Sequence, residues 1–139
     1  MRYVNGVEVV LVPCEGRLDY PRFRAIFEDL VREPAFAGGA PAVWDLRPAD
    51  LTGFDMEEMR KLADFVGTLQ QRRATRVAMV VGRDWEQPLM RLWSEFLGTM
   101  LDQDRLITSD MDDALTWAAE GRAGGRVVAR SMPGAAGRA

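Results

Sequence analysis

Chemistry in this chain is limited first by what it lacks, because none of its 139 residues is a histidine. Without imidazole there is no Ser-His or Cys-His nucleophile pair and no histidine metal ligand. Acid-base work would fall to carboxylates, lysine or tyrosine. Lys61 is the sole lysine, and in a charged stretch a solvated surface role outweighs Schiff-base chemistry. Cys14, the sole cysteine, cannot close an internal disulfide. At the end of an apolar run it reads as a small buried hydrophobe rather than a reactive thiol. The inventory singles out no catalytic residue and no cofactor, and an enzyme using only carboxylates and arginines is the least favoured reading, behind a binding module and a carrier.

What retains chemical potential is the series Asp45, Asp50 and Asp55 and the group Arg83, Asp84 and Trp85. Carboxylate oxygens bind hard cations, but this spacing matches no calcium loop, and separate duties in turns and helix caps explain all three. If the strands that end at Asp45 and before Arg83 are neighbours, the two groups meet in a site polar at its mouth and aromatic below. The candidate binding surface is therefore Asp45, Arg47, Asp50, Thr52, Asp55, Arg83, Asp84, Trp85, Leu89 and Trp93.

The elements that must position these residues follow from hydrophobic period. Residues 42–47 (Ala-Val-Trp-Asp-Leu-Arg) read as a strand running into a polar loop, and residues 76–82 as an almost continuous apolar strand of the kind buried on both faces. Residues 1–4 and 7–12 form a hairpin across Asn5-Gly6, and 105–108 a further short strand. Between them lie amphipathic helices. The first is capped by Asp19 and carries Phe23, Ile26, Phe27, Leu30 and Val31 on one face; it stops before Pro34, and residues 37–41 connect onward. The second is capped by Thr52 or Asp55 and buries Met56, Met59, Leu62, Ala63, Val66 and Leu69. The third starts at Asp84 with Pro88 in its first turn, and the last starts at Ser109 or Asp110. Alternation of strand and helix predicts an α/β domain with a mostly parallel four- to five-stranded sheet flanked by about four helices.

Charge and composition bound the partners. All acidic residues precede Gly121, whereas the rest of the chain carries Arg122, Arg126, Arg130 and Arg138 among Gly and Ala, and the whole has a net charge of −3. An acidic body argues against nucleic acid. Residues 1–120 are expected to form the domain and 121–139 a flexible tail. No run approaches the ~20 apolar residues of a membrane helix and no signal pattern opens the chain, so a cytoplasmic protein is expected. Four tryptophans and eight methionines give an adaptable apolar interior. Trp85, Leu89, Met90, Trp93 and Phe96 would pack as plain core or line a cavity for an apolar ligand. Any exposed remainder of their stripe, at a position such as Met90 or on towards Met100, would make a homodimer face.

Four segments, residues 9–18 (VVLVPCEGRL), 42–47 (AVWDLR), 76–85 (RVAMVVGRDW) and 112–117 (DDALTW), taken in this order, resemble the SpoIIAA-like branch of the STAS-type domains, structural kin of the CRAL-TRIO lipid carriers. The resemblance covers about residues 7–120. It implies a sheet flanked by helices, no common catalysis, and roles in protein interaction or in holding apolar molecules. Anti-sigma-factor antagonists of that group carry a phosphorylatable serine after the Asp-Leu strand. Residues 50–56 here hold no serine, and Thr52 is the only hydroxyl, one that helix capping already explains.

Overall fold

The computed structural model describes residues 2–4, 6–69, 75–97, 103–120 and 127–129. A hairpin opens the chain: β1 (Arg2–Val4) runs antiparallel to β2 (Val7–Pro13), with Gly6 in the left-handed region (φ 80°) at the turn. From β2 onward every added strand is parallel. The order across the sheet is β1, β2, then β4 (Ala42–Asp45), β6 (Thr75–Val80), β7 (Gln103–Thr108) and β8 (Val127–Ala129). This is the expected α/β arrangement with a mostly parallel sheet. Strand β8 extends it into the stretch anticipated as tail. Three apolar residues there take the open edge of β7 by backbone pairing, which needs little side-chain periodicity to announce it. The other tail residues, the four arginines among them, and Asn5 and Met100 lie outside the described residues.

Helices α1 (Tyr20–Leu30), α3 (Met56–Gly67) and α4 (Glu86–Leu97), with the single turn α2 (Pro34–Ala37), cover one face. Alternation along the strands sends Val10, Val12, Ala42, Trp44, Met79 and Ile107 to that side, where they meet Phe23, Phe54, Leu62, Val66 and Trp93. Among the described residues helix α5 (Met111–Ala119) is what covers the other face, packing Ala114, Leu115, Trp117 and Ala118 on Val9, Val43, Ala78, Val80 and Leu106. Each step from β2 to β7 moves one strand along the sheet through the three-helix side. The step from β7 to β8 moves the same way through the α5 side, so it has the opposite hand.

The helix starts obey the capping chemistry. Asp19, Asp55 and Asp110 each accept the amide three residues on, from Arg22 (3.1 Å), Glu58 (3.0 Å) and Asp113 (3.1 Å). Of the paired alternatives, Asp55 caps α3 and Thr52 does not, and Asp110 caps α5 rather than Ser109. The connector at 37–41 starts one residue late, because Pro34 opens the short α2, where its missing amide donor costs nothing. Met56 leaves the predicted buried stripe: it is the first residue of α3 and is 55% exposed.

Candidate functional site

The carboxyl ends of the parallel strands gather most of the residues singled out by sequence. At the end of β4, Asp45 grips Arg47 through both carboxylate oxygens (2.8 and 3.0 Å) and accepts its backbone amide as well (3.2 Å). The guanidinium bonds hold the Asp45 carboxyl below the usual carboxylate range, and the same pairing raises Arg47. The charge of Asp110, just past the end of β7, adds a smaller push in the same direction on Arg47. Gly82, just past β6, lies so close to the loop after β4 that a Cβ there would meet the Arg47 carbonyl at 3.2 Å.

Beyond Arg47 the chain forms β5 (Ala49–Asp50), a two-residue strand parallel to β3 (Gly16–Arg17). This pairing is too short to carry a sequence period. Asp50 accepts both the amide (2.9 Å) and the hydroxyl (2.6 Å) of Thr52, an Asx turn whose hydroxyl bond draws the Asp50 pKa down. Thr52 is thereby committed to the loop. The three aspartates perform three separate local tasks, and among the described residues no three His, Cys, Asp or Glu side chains are placed to hold a metal ion.

The turn from β6 into α4 contains a group that sequence reasoning missed. Glu86 is 0% exposed. Its Oε1 accepts the amides of Gly82 and Arg83 (both 3.0 Å) and its Oε2 the guanidinium of Arg83 (3.2 Å). Arg83 also reaches the Ala49 carbonyl at 3.4 Å, tying this turn to β5. The place where a strand-to-helix turn presents amides to an anion is thus filled by the protein's own carboxylate. An acid in a first helical turn is ordinarily a solvated partner of the helix dipole, so the sequence carries no signal for its burial.

Asp84 and Trp85 follow on the outside. Trp85 is 44% exposed, and with Met56 it makes up the exposed large hydrophobics of the described residues. Both precede or begin a helix on the same rim, Met56 on α3 and Trp85 on its neighbour α4. Leu89 and Trp93, assigned to the same surface, point inward: Leu89 is half-buried against the core, and Trp93 meets the Phe54 ring edge-on at 5.7 Å. Of the described residues in the stripe, Met90 is buried and Leu92 and Phe96 pack on the core. Met90 itself is therefore not an exposed position of the stripe.

Further concavities lie elsewhere among the described residues. Between the sheet and α1, α3 and α4 is a cavity of about 50 Å³ lined by Met90 and Trp93 as expected, but by Trp44, Leu62, Val66, Met79 and Arg105 in place of Trp85, Leu89 and Phe96. An open groove of about 500 Å³ runs from Pro13 and Cys14 past Arg22 and Ile26 of α1 to Pro48. Burial, with a smaller push from Asp45, raises the Cys14 thiol to about 12, in keeping with its reading as an inert buried hydrophobe. Among the described residues no helix is long and apolar enough to cross a membrane. No protein-family model matches this chain, and neither a curated protein nor a solved structure does.

Proposed function

We propose that this chain is a non-enzymatic regulatory or protein-binding module of SpoIIAA-like, STAS type, acting through the rim at the carboxyl edge of its sheet. The observation that carries this reading is the exposure of Trp85 and Met56 together on that rim. A tryptophan that stays half in water forgoes much of the roughly 2–3 kcal/mol its burial would contribute, and exposed aromatic and methionine side chains amid charge are the anchors that protein interfaces use. Arg47, Arg83 and Asp84 supply the polar surround. A parallel sheet flanked by helices is what the family resemblance implies. Glu86 in the β6–α4 turn, with Asp45 and Asp50 held by neighbours, weighs against phosphate or acid-base chemistry at this edge.

The test replaces Trp85 by a photo-reactive phenylalanine analogue in the native host, with the same analogue at Asp112, exposed on α5, as control. A discrete cross-linked adduct from position 85, suppressed by Met56→Glu, is the expected result. Equal adducts from both positions, or none from 85, would remove the rim as the working surface.

A second reading, a carrier for an apolar small molecule, is favoured by the cavity beneath α3 and α4. At about 50 Å³ it is well short of the ~300 Å³ of a drug-sized site, so a carrier of this design holds something small unless its helices part.

A further inference from the structure

The cavity beneath α3 and α4 has walls of aromatic and aliphatic side chains, among them Phe27, Trp44, Met79, Met90 and Trp93. Ring geometry accounts for the space. Phe23 and Phe27 meet Trp44 with ring centroids 6.1 and 5.1 Å apart and planes tilted by 47° and 46°, angles that leave wedges between rings, and all three rings line the cavity. Arg105 lines it too, but its guanidinium is engaged within the fold, Nη1 donating to the Ser94 carbonyl at 3.2 Å.

A buried water needs about two to four polar partners. These walls offer mostly carbon, so the cavity favours a guest that makes no hydrogen bonds. Atoms that face a void lack dispersion partners on that side, and a guest that touches them restores those contacts. The volume of about 50 Å³ sets the size of that guest. It exceeds the ~30 Å³ share of one water and falls far below the ~150 Å³ of an apolar cavity that holds benzene. Met79 and Met90 make the wall compliant, because an unbranched thioether chain can resettle around an occupant. We infer that this cavity is a binding site for a neutral apolar molecule of roughly one to three heavy atoms, the class to which xenon, dioxygen and ethylene belong, seated between Trp44, Trp93 and the two methionines. The inference rests on the carrier reading and narrows its ligand to molecules of that size that neither carry charge nor form hydrogen bonds.

The two wall methionines supply the reporter. The full chain, isotope-labelled at its methionine methyl groups, is titrated with xenon, cyclopropane, ethanol and cyclohexane, and the methyl resonances are followed. Xenon and cyclopropane should shift the Met79 and Met90 signals along saturating curves while leaving the exposed Met56 and the α5 residue Met111 unmoved. Ethanol, whose hydroxyl would be left without a partner, should need concentrations about tenfold or more higher than cyclopropane. Cyclohexane, too large for the space, should saturate neither signal. Val66→Phe, which projects a ring into the cavity, should abolish the xenon response; Val66→Ile fills it more gently, should weaken the response, and decides the matter if the phenylalanine variant does not fold. Ethanol binding as tightly as cyclopropane, or saturation by cyclohexane, would overturn the ligand class and leave the carrier reading standing. A xenon response unchanged in the filled variants would overturn this cavity as the site. If no probe moves Met79 or Met90 more than Met56, the inference and the carrier reading both fall.

Discussion

The two faces of the sheet are covered by different means. On one side three helices and a turn bring phenylalanines and tryptophans against the strands, with ring pairs such as Phe23–Phe54 at 4.7 Å and Phe27–Trp44 at 5.1 Å. On the other, among the described residues, a nine-residue helix does the work, and the contact is made with small side chains: Ala78, Ala114 and Ala118 are all fully buried. Large rings reach far but interlock imperfectly, and the cavity lies on their side. Alanines let α5 sit close to the strands, with small side chains that fill the space between them. Trp117 is the exception, and it is held on both sides. The Arg76 guanidinium lies 4.5 Å over its ring while donating to its carbonyl at 2.7 Å, and reaches on to Glu120 at 3.3 Å.

If close packing distinguishes the α5 side, the largest effect belongs there. Trp117→Ala should cost about 3–5 kcal/mol in urea unfolding, and Trp93→Ala on the opposite side should cost less, because its surroundings can settle into existing space. The reverse order would break the comparison. Ala78→Leu, which adds bulk under α5, should destabilise by about 1–3 kcal/mol; a neutral result would mean that α5 shifts outward at little cost.

Cys14 belongs to the three-helix core, and its thiol tests how dry that side is. A thiol raised to about 12 in the folded protein, against ~8.5 in the unfolded chain, leaves stability untouched below pH ~8.5 and erodes it as pH rises toward 12, since only the unfolded chain then ionises. At pH 10 the loss should be roughly 2 kcal/mol. Cys14→Ala should flatten that part of the stability profile, and an identical slope in the variant would show that water reaches the thiol. The smallest effect carries the opposite sign. Val66→Ile adds one methylene beside the cavity and should raise stability by about 0.8 kcal/mol or less, whereas extra bulk under α5 is expected to cost.

How much of this could be read beforehand depended on whether a residue's role was local. Asp19, Asp55 and Asp110 cap helices because an aspartate reaches an amide three residues away in any fold, and the apolar run that became β6 is buried on both faces because nothing else accommodates it. The hairpin, the parallel alternation and the meeting of the Asp45 and Arg83 loops follow from the same short-range logic. Roles fixed by distant neighbours were hidden. Arg76, Asp104 and Arg105 are charged residues on buried strands, and only the partner elements show why. Glu86 looks like any first-turn acid until Gly82 and Arg83 fold back onto it. Trp85 and Met56 share the helical spacing of core residues, yet one stands just before its helix and the other is the first residue of its own, and no period marks where burial begins.

The strand order has a consequence for how the molecule comes into being. Within the six-stranded sheet each parallel strand pairs with the strand of that sheet made just before it, so every new strand-helix unit finds its place waiting at the growing edge, although each such pairing must still close a helical crossover. Emerging from a ribosome, the chain can lay down the sheet together with its three-helix cover, one unit at a time. The opposite face has no such schedule. Val9 and Val43 wait for Trp117 and Ala118, and until α5 has been synthesised and swung back beneath the strands, that whole surface stands open to water and to other nascent chains.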